Sequence, residues 1–173
     1  YESLTEPPSM TVSTLMYVDS VIASSGNYHW LHTLPNGTVG GVIACGAHPL
    51  DQQNHPILYT AFPGGTLPPS EDGENVSSIA PIFYLYFGEI LPETVSVIRW
   101  PASHIGDAQI HSTDFEIVTT ELDGDIFCLL PLGDGDYVYE VSADWGDVGG
   151  ASYTFRTLPQ TRETQADKPL ETP

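Results

Sequence analysis

Between Tyr137 and Trp145 apolar and polar side chains alternate without interruption. Tyr137, Tyr139, Val141, Ala143 and Trp145 fall on one side, and Val138, Glu140, Ser142 and Asp144 on the other. Successive side chains of an extended strand point to opposite faces, whereas a helix would scatter both sets around its circumference. The run therefore predicts a strand with one buried face. A tight acidic turn, Gly133-Asp134-Gly135-Asp136, opens it, and residues 152–157 offer a second β-rich segment after a connection over 146–150. The pair reads as the closing hairpin of an antiparallel sandwich.

The same signals recur upstream. Residues 79–87 are apolar and aromatic, residues 94–100 follow Pro92 and stop at Pro101, and residues 115–121 and 125–130 flank a turn at Asp123-Gly124. With the closing hairpin this makes six strands over 77–158, at the turn spacing of an immunoglobulin-like or fibronectin-like antiparallel sandwich. Residues 1–76 read as a smaller β-rich N-terminal part. It holds an extended lead-in over 1–10, a strand over 11–17 and a hairpin whose strands, 27–32 and 38–44, flank Pro35-Asn36-Gly37. Asn-Gly is a strong short-range hairpin signal. From 46 to 73 the chain is irregular, rich in Pro, Gly, Asn and Gln, with one strand-like run over 57–62. Stretches of that length in a domain often carry function. Residues 159–173 lack apolar periodicity and are expected to be disordered. The predicted class is all-β, without helix patterns or internal repeats.

Charge limits the partners. The chain carries 23 acidic residues against 4 Lys and Arg, a formal net charge of −19. Arg162 and Lys168 lie in the tail, which leaves Arg99 and Arg156 for everything before it. Nucleic acids and anionic membrane surfaces both demand clustered Lys and Arg, so neither is an expected partner. No run reaches the roughly 18 apolar residues of a membrane-spanning helix, and Tyr1 is read as the start of a mature chain. The two cysteines, Cys45 and Cys128, lie in apolar strand-like context. They either form a disulfide joining the two halves, stabilising by about 4 kcal/mol through loop closure, or are separate buried thiols.

Six histidines are the place to look for metal. His29 and His32, three apart on a strand, point to opposite faces. His48, Asp51 and His55 lie in the irregular stretch and could converge, but structural zinc wants three or four ligands and the plainer expectation is ordinary polar histidines. The Asp-rich turns at 71–74, 123–125 and 134–136 lack the order of a calcium loop and are at most weak calcium sites. No cofactor is expected. A Gly-x-Ser-x-Gly elbow and a phosphate-cradling loop are both missing, and no catalytic residue is assigned. Tyr28 and Trp30 share one face of their strand. They are either core or an exposed aromatic platform for a sugar or peptide.

Two resemblances add to this. Tyr137-x-x-x-Val141-x-Ala143 after Leu130-Pro131 resembles a late strand of fibronectin type III domains. Asn27-Tyr28-His29-Trp30, Ala47-His48-Pro49-Leu50, residues 94–100 and residues 137–141 occur in an order similar to uncharacterised extracytoplasmic domains of Gram-positive gut bacteria. Those domains belong to secreted lipoproteins and sensor ectodomains. The resemblance implies export to the cell surface, a β-rich fold and a non-catalytic role. The expected function is a secreted or surface-attached binding module, with Tyr28, Trp30, His48, Asp51 and His55 as candidate ligand-binding residues. Its partner would be a protein, peptide or cell-wall glycan, a basic one being favoured by charge. The alternative is a carbohydrate-binding accessory domain using exposed aromatics.

Overall fold

The alternating run forms β10 (Tyr137–Asp144), which pairs antiparallel with β11 (Gly149–Leu158) over its whole length. Tyr139, Val141 and Ala143 are buried on one face, as the alternation requires. The computed structural model describes residues 5–14, 20–52, 54–60, 82–133 and 135–159. Around this hairpin lie β1 (Thr11–Thr14), β2 (Ser20–Ile22), β3 (Ser24–Thr33), β4 (Val39–Ala44), β5 (Ile57–Tyr59), β6 (Phe83–Tyr86), β7 (Thr94–Pro101), β8 (Glu116–Asp123) and β9 (Ile126–Leu130). A single-turn helix, α1 (Ala108–His111), lies between β7 and β8.

The fold is all-β. Hydrogen bonding follows the order β2-β1-β6-β9-β8-β7-β10-β11-β3-β4, antiparallel throughout, and β5 runs parallel beside β11. Residues 11–44 thus supply both ends of the sheet and residues 83–158 its middle. The sheet bends at β8. Val118, Ile117 and Glu116 pair with Val97, Ile98 and Arg99 of β7, while Thr119 to Asp123 pair with β9. Changing partner midway turns a corner, so β1, β6 and β9 face β10, β11 and β3 across a shared core. Aromatic rings lock the two sides together edge to face: Phe83 on Tyr139 and Phe155, and Phe87 on Trp145 and Tyr153. Such pairs add to area burial through their quadrupoles.

One end of the core is plugged by a charge. Arg99, 2% exposed, donates from Nε to Glu116 Oε1 (2.7 Å), and from Nη1 to the Gly133 carbonyl (2.8 Å) and the Tyr139 hydroxyl (3.0 Å). Its guanidinium lies over the Tyr137 ring, 3.7 Å from the centroid. With its donors satisfied and an acid beside it, the buried cation is tolerated.

Several expectations are refined. Segment 79–87 contributes a strand from Phe83, and residues 61–81 lie outside the described residues, as do the 71–74 turn, Asp134 and the tail from 160. Strand β2 and helix α1 carry no sequence signal: three and four residues are too short for a period to show. Cys45 is exposed and Cys128 buried, and both are free, so the disulfide is not formed. Cys45 follows β4 at the sheet's end, whereas Cys128 sits on β9 between β6 and β8. Burial, with Asp123 and Glu121 nearby, pushes the Cys128 thiol up, away from the reactive thiolate.

Candidate functional site

Two surfaces stand apart from the scaffold. The first is the hairpin β3–β4. Its loop follows the Asn-Gly expectation: Leu34 N donates to Thr38 O (2.7 Å), Asn36 Oδ1 accepts from Thr38 N and Oγ1, and Gly37 takes φ 88°. Along β3 the inner face joins the core. Trp30 is fully buried and packs edge to face on Trp145 at 5.2 Å. Tyr28 is half-buried against the same core, its hydroxyl 3.5 Å from Glu6 Oε2. The aromatic platform proposed for Trp30 is therefore corrected. Tyr28 and Trp30 do share a face, but it faces inward, where a large ring gains more from burial than it would in water.

The outer face of the hairpin is apolar instead. Leu31, Val39 and Ile43 are 47%, 67% and 79% exposed, with Leu34 beside the turn. From Ser20 to Leu50 the chain holds no Asp, Glu, Lys or Arg, although it carries 27 such residues in all (23 acidic plus 4 basic). Strand β4 ends the hydrogen-bonding path, so among the described residues its outer backbone edge pairs with no strand. Proteins usually guard such an edge with charge, proline or a bulge. Here the bulge lies on the other side. Gly26 and Asn27 together oppose Ser152, whose hydroxyl accepts from Asn27 N (3.0 Å) and donates to Asn27 O (3.3 Å). The distortion fixes β3 to β11 and leaves β4 unguarded.

The second surface caps the outer face of β7 and β10. The 3-10 turn Pro49–Asp51 is started by His48, whose Nδ1 accepts from Leu50 N at 3.1 Å. Its ring leans on Trp100 at 5.1 Å. Leu50, Trp100, Ala108 and Val138 form a small outer core, which is why Val138 is buried on the face where the alternation expects solvent. Glu140 lies beneath this cap. Burial pushes its carboxyl above the usual range, with His48 partly opposing. His55 donates from Nε2 to the Pro49 carbonyl at 2.7 Å, and burial lowers its pKa despite that bond, with Arg156 adding to the fall. Asp51 is exposed. Thus His48, Asp51 and His55 share one turn but do not converge as a ligand set: the histidines brace the cap.

A histidine pair that no spacing in the chain joins does converge there. His104 and His111 stack with centroids 3.8 Å apart and planes 9° from parallel, and His111 Nδ1 meets Asp114 Oδ2 at 2.8 Å. The loop carrying them is anchored by Gly106 N to Leu50 O (2.7 Å), Ala102 N to Asp136 O (2.9 Å) and Trp100 Nε1 to Ser112 O (3.2 Å). Spacings of seven and three residues across a bend and one helical turn match no motif, so only the fold shows the group.

The acidic turns act locally. Asp136 forms a two-pronged pair with Arg156 (2.8 and 2.7 Å), and Asp123-Gly124-Asp125 is an exposed reversal with Gly124 at φ 66°. No helix among the described residues is long and apolar enough to cross a membrane. No protein-family model, curated protein or solved structure matches this chain.

Proposed function

We propose that this chain is a non-catalytic binding module of an exported or surface-attached protein, built on an immunoglobulin-like scaffold. Its binding surface is the β3–β4 hairpin, which accepts an extended, basic segment of a partner protein along β4. The observation that carries this is the unguarded edge: Val39 to Ala44, uncharged and apolar on its outer face, at the end of a sheet in a chain of net charge −19. An added strand satisfies the open backbone groups, and its apolar side chains cover Leu31, Val39 and Ile43. Charge selects the partner class. Lys and Arg flanking the docked segment meet the acidic remainder of the surface, which raises encounter rates and weakens as salt screens it. Export rests on the resemblance to extracytoplasmic domains. The glycan alternative would rest on Tyr28 and the stretch over 46–73, since Trp30 lies in the core.

Selection of a displayed random-peptide library on the chain tests this, with Val39→Lys/Ile43→Lys as the counter-selected variant. The expected winners are short segments alternating apolar residues with Lys or Arg, which bind the parent and not the variant. Winners that bind both alike overturn it, as does concentration-dependent self-association abolished by the same variant, which would place a second copy on the edge.

A further inference from the structure

We infer that His104, His111 and Asp114 form a binding site for a borderline divalent transition ion, with zinc the best fit. One ring nitrogen from each histidine and one Asp114 oxygen lie within 4.8 Å of one another, and among the described residues no other such group of His, Cys, Asp and Glu exists. Imidazole nitrogens with one carboxylate oxygen suit zinc, copper or nickel far better than calcium or magnesium, which prefer all-oxygen shells.

A second observation points to a ligand. His104 Nδ1 is buried and has no hydrogen-bond partner. An unsatisfied buried ring nitrogen costs free energy unless something accepts or donates there, and another imidazole stacks on this ring. His32 Nδ1 is likewise without a partner, but it belongs to no such cluster. Stacked rings direct their lone pairs side by side. Binding requires His111, whose side chain is 28% exposed, to tilt out of the stack until one nitrogen of each ring lies at the about 2.0–2.1 Å that zinc takes. Asp114, already on His111 Nδ1, then completes a third ligand or holds the ring tautomer from behind.

The setting favours a cation. His104 ends the 3-10 turn that follows β7, and His111 ends α1, so the rings ride on two short rigid turns anchored to Leu50 and Trp100. The two histidines, with or without Asp114 as a third ligand, leave the rest of a tetrahedral shell to water or a partner's side chain. The net charge of −19 enriches cations at the surface without specificity. The histidine pair supplies the choice of metal. This site is separate from the β4 edge, so the two proposals stand or fall independently.

Titration of the purified chain with Zn²⁺ and with Co²⁺ is the test. The expected result is one Zn²⁺ per chain and, with Co²⁺, the intense visible bands of a four-coordinate site that Zn²⁺ displaces. His104→Gln and His111→Gln should abolish the bands, and Asp114→Asn should weaken binding by about 10–100-fold. His29→Ala, an exposed histidine of β3 away from the site, should bind as the parent does. Far-UV circular dichroism and Tm on every variant separate lost binding from lost fold, and His104 and His111 ring signals in NMR should move on Zn²⁺ addition to the parent. The inference is overturned if the parent shows no Co²⁺ bands, or if bands persist in correctly folded His104→Gln and His111→Gln chains.

Discussion

The hairpins β3–β4 and β10–β11 share a local signal and end up in opposite circumstances. Both are antiparallel pairs with one apolar face on the common core. The β10–β11 pair is enclosed: β7 lies against β10, β3 and β5 against β11, and the cap around Leu50 and Trp100 covers part of its outer face. The β3–β4 pair is attached along β3 alone among the described residues, and its outer face keeps Leu31, Val39 and Ile43 in solvent. A strand's own residues fix its pleat and inner face. What covers the outer face, and whether the edge is filled, depends on segments far away in the chain. The alternating run is scaffold, whereas the hairpin keeps its outer apolar residues uncovered, which is what the proposed binding surface rests on.

The largest expected effect tests whether β3 belongs to the core. Trp30→Ala should destabilise by about 3–5 kcal/mol in denaturant titration, since it removes a fully buried ring and the Trp145 contact. A loss of no more than about 0.5 kcal/mol, the scale of a surface substitution, would detach the hairpin from the fold. Next is the seam between the two hairpins. Gly149 has φ 153°, and a Cβ there would run into the His29 carbonyl oxygen. Gly149→Ala should therefore cost about 3 kcal/mol, combining strain with a forced shift of β3 against β11.

The cap over β10 should show as opposed pH slopes. Glu140 has its folded pKa raised above 4.5 by burial, so its contribution is full below that value and lost as pH rises through the folded pKa. At neutral pH the buried carboxylate is a net cost. Glu140→Gln should raise Tm there and leave it unchanged in mild acid. His55 is depressed below 6.5 by burial, so its contribution is full above 6.5 and lost as pH falls through the folded value. His55→Gln should flatten the acid limb of the Tm profile. Equal pH profiles for parent and variants would mean that the cap does not bury these groups.

The smallest expected effect on stability is the most informative about function. Ile43→Lys and Val39→Lys place charge on exposed positions of an edge strand, and each should change stability by no more than about 0.5 kcal/mol. A large loss would show that the outer face of β4 is packed, contrary to an open edge.

Much of this is legible in the amino-acid sequence. Strands β6 to β11 announce themselves as apolar or β-rich runs between turns, β10 by its alternation, and the β3–β4 loop by Asn36-Gly37. The bend at β8 is not, because a strand that changes partner between Val118 and Thr119 looks like any other in sequence. The shared face of Tyr28 and Trp30 follows from spacing, yet which face meets the core depends on Trp145, more than a hundred residues on. His48 and His55 are neighbours in the chain and serve different bonds, while His104 and His111 meet only because α1 folds back on the preceding turn. The uncharged run from Ser20 to Leu50 is the sequence signal for the proposed binding surface. It is an absence of charge rather than a motif, and it gains meaning only once β4 is seen to end the sheet.

Amide hydrogen exchange along β4, with and without a basic peptide selected on the chain, tests the binding surface most directly. The expected result is rapid exchange at outward amides of Val39 to Ala44 in the chain alone and strong protection on binding. No change is expected at β2, the opposite end of the sheet, and protection should be lost in Ile43→Lys. Protection of β4 already present in the chain alone, or peptide binding that leaves β4 exchange unchanged, would contradict it.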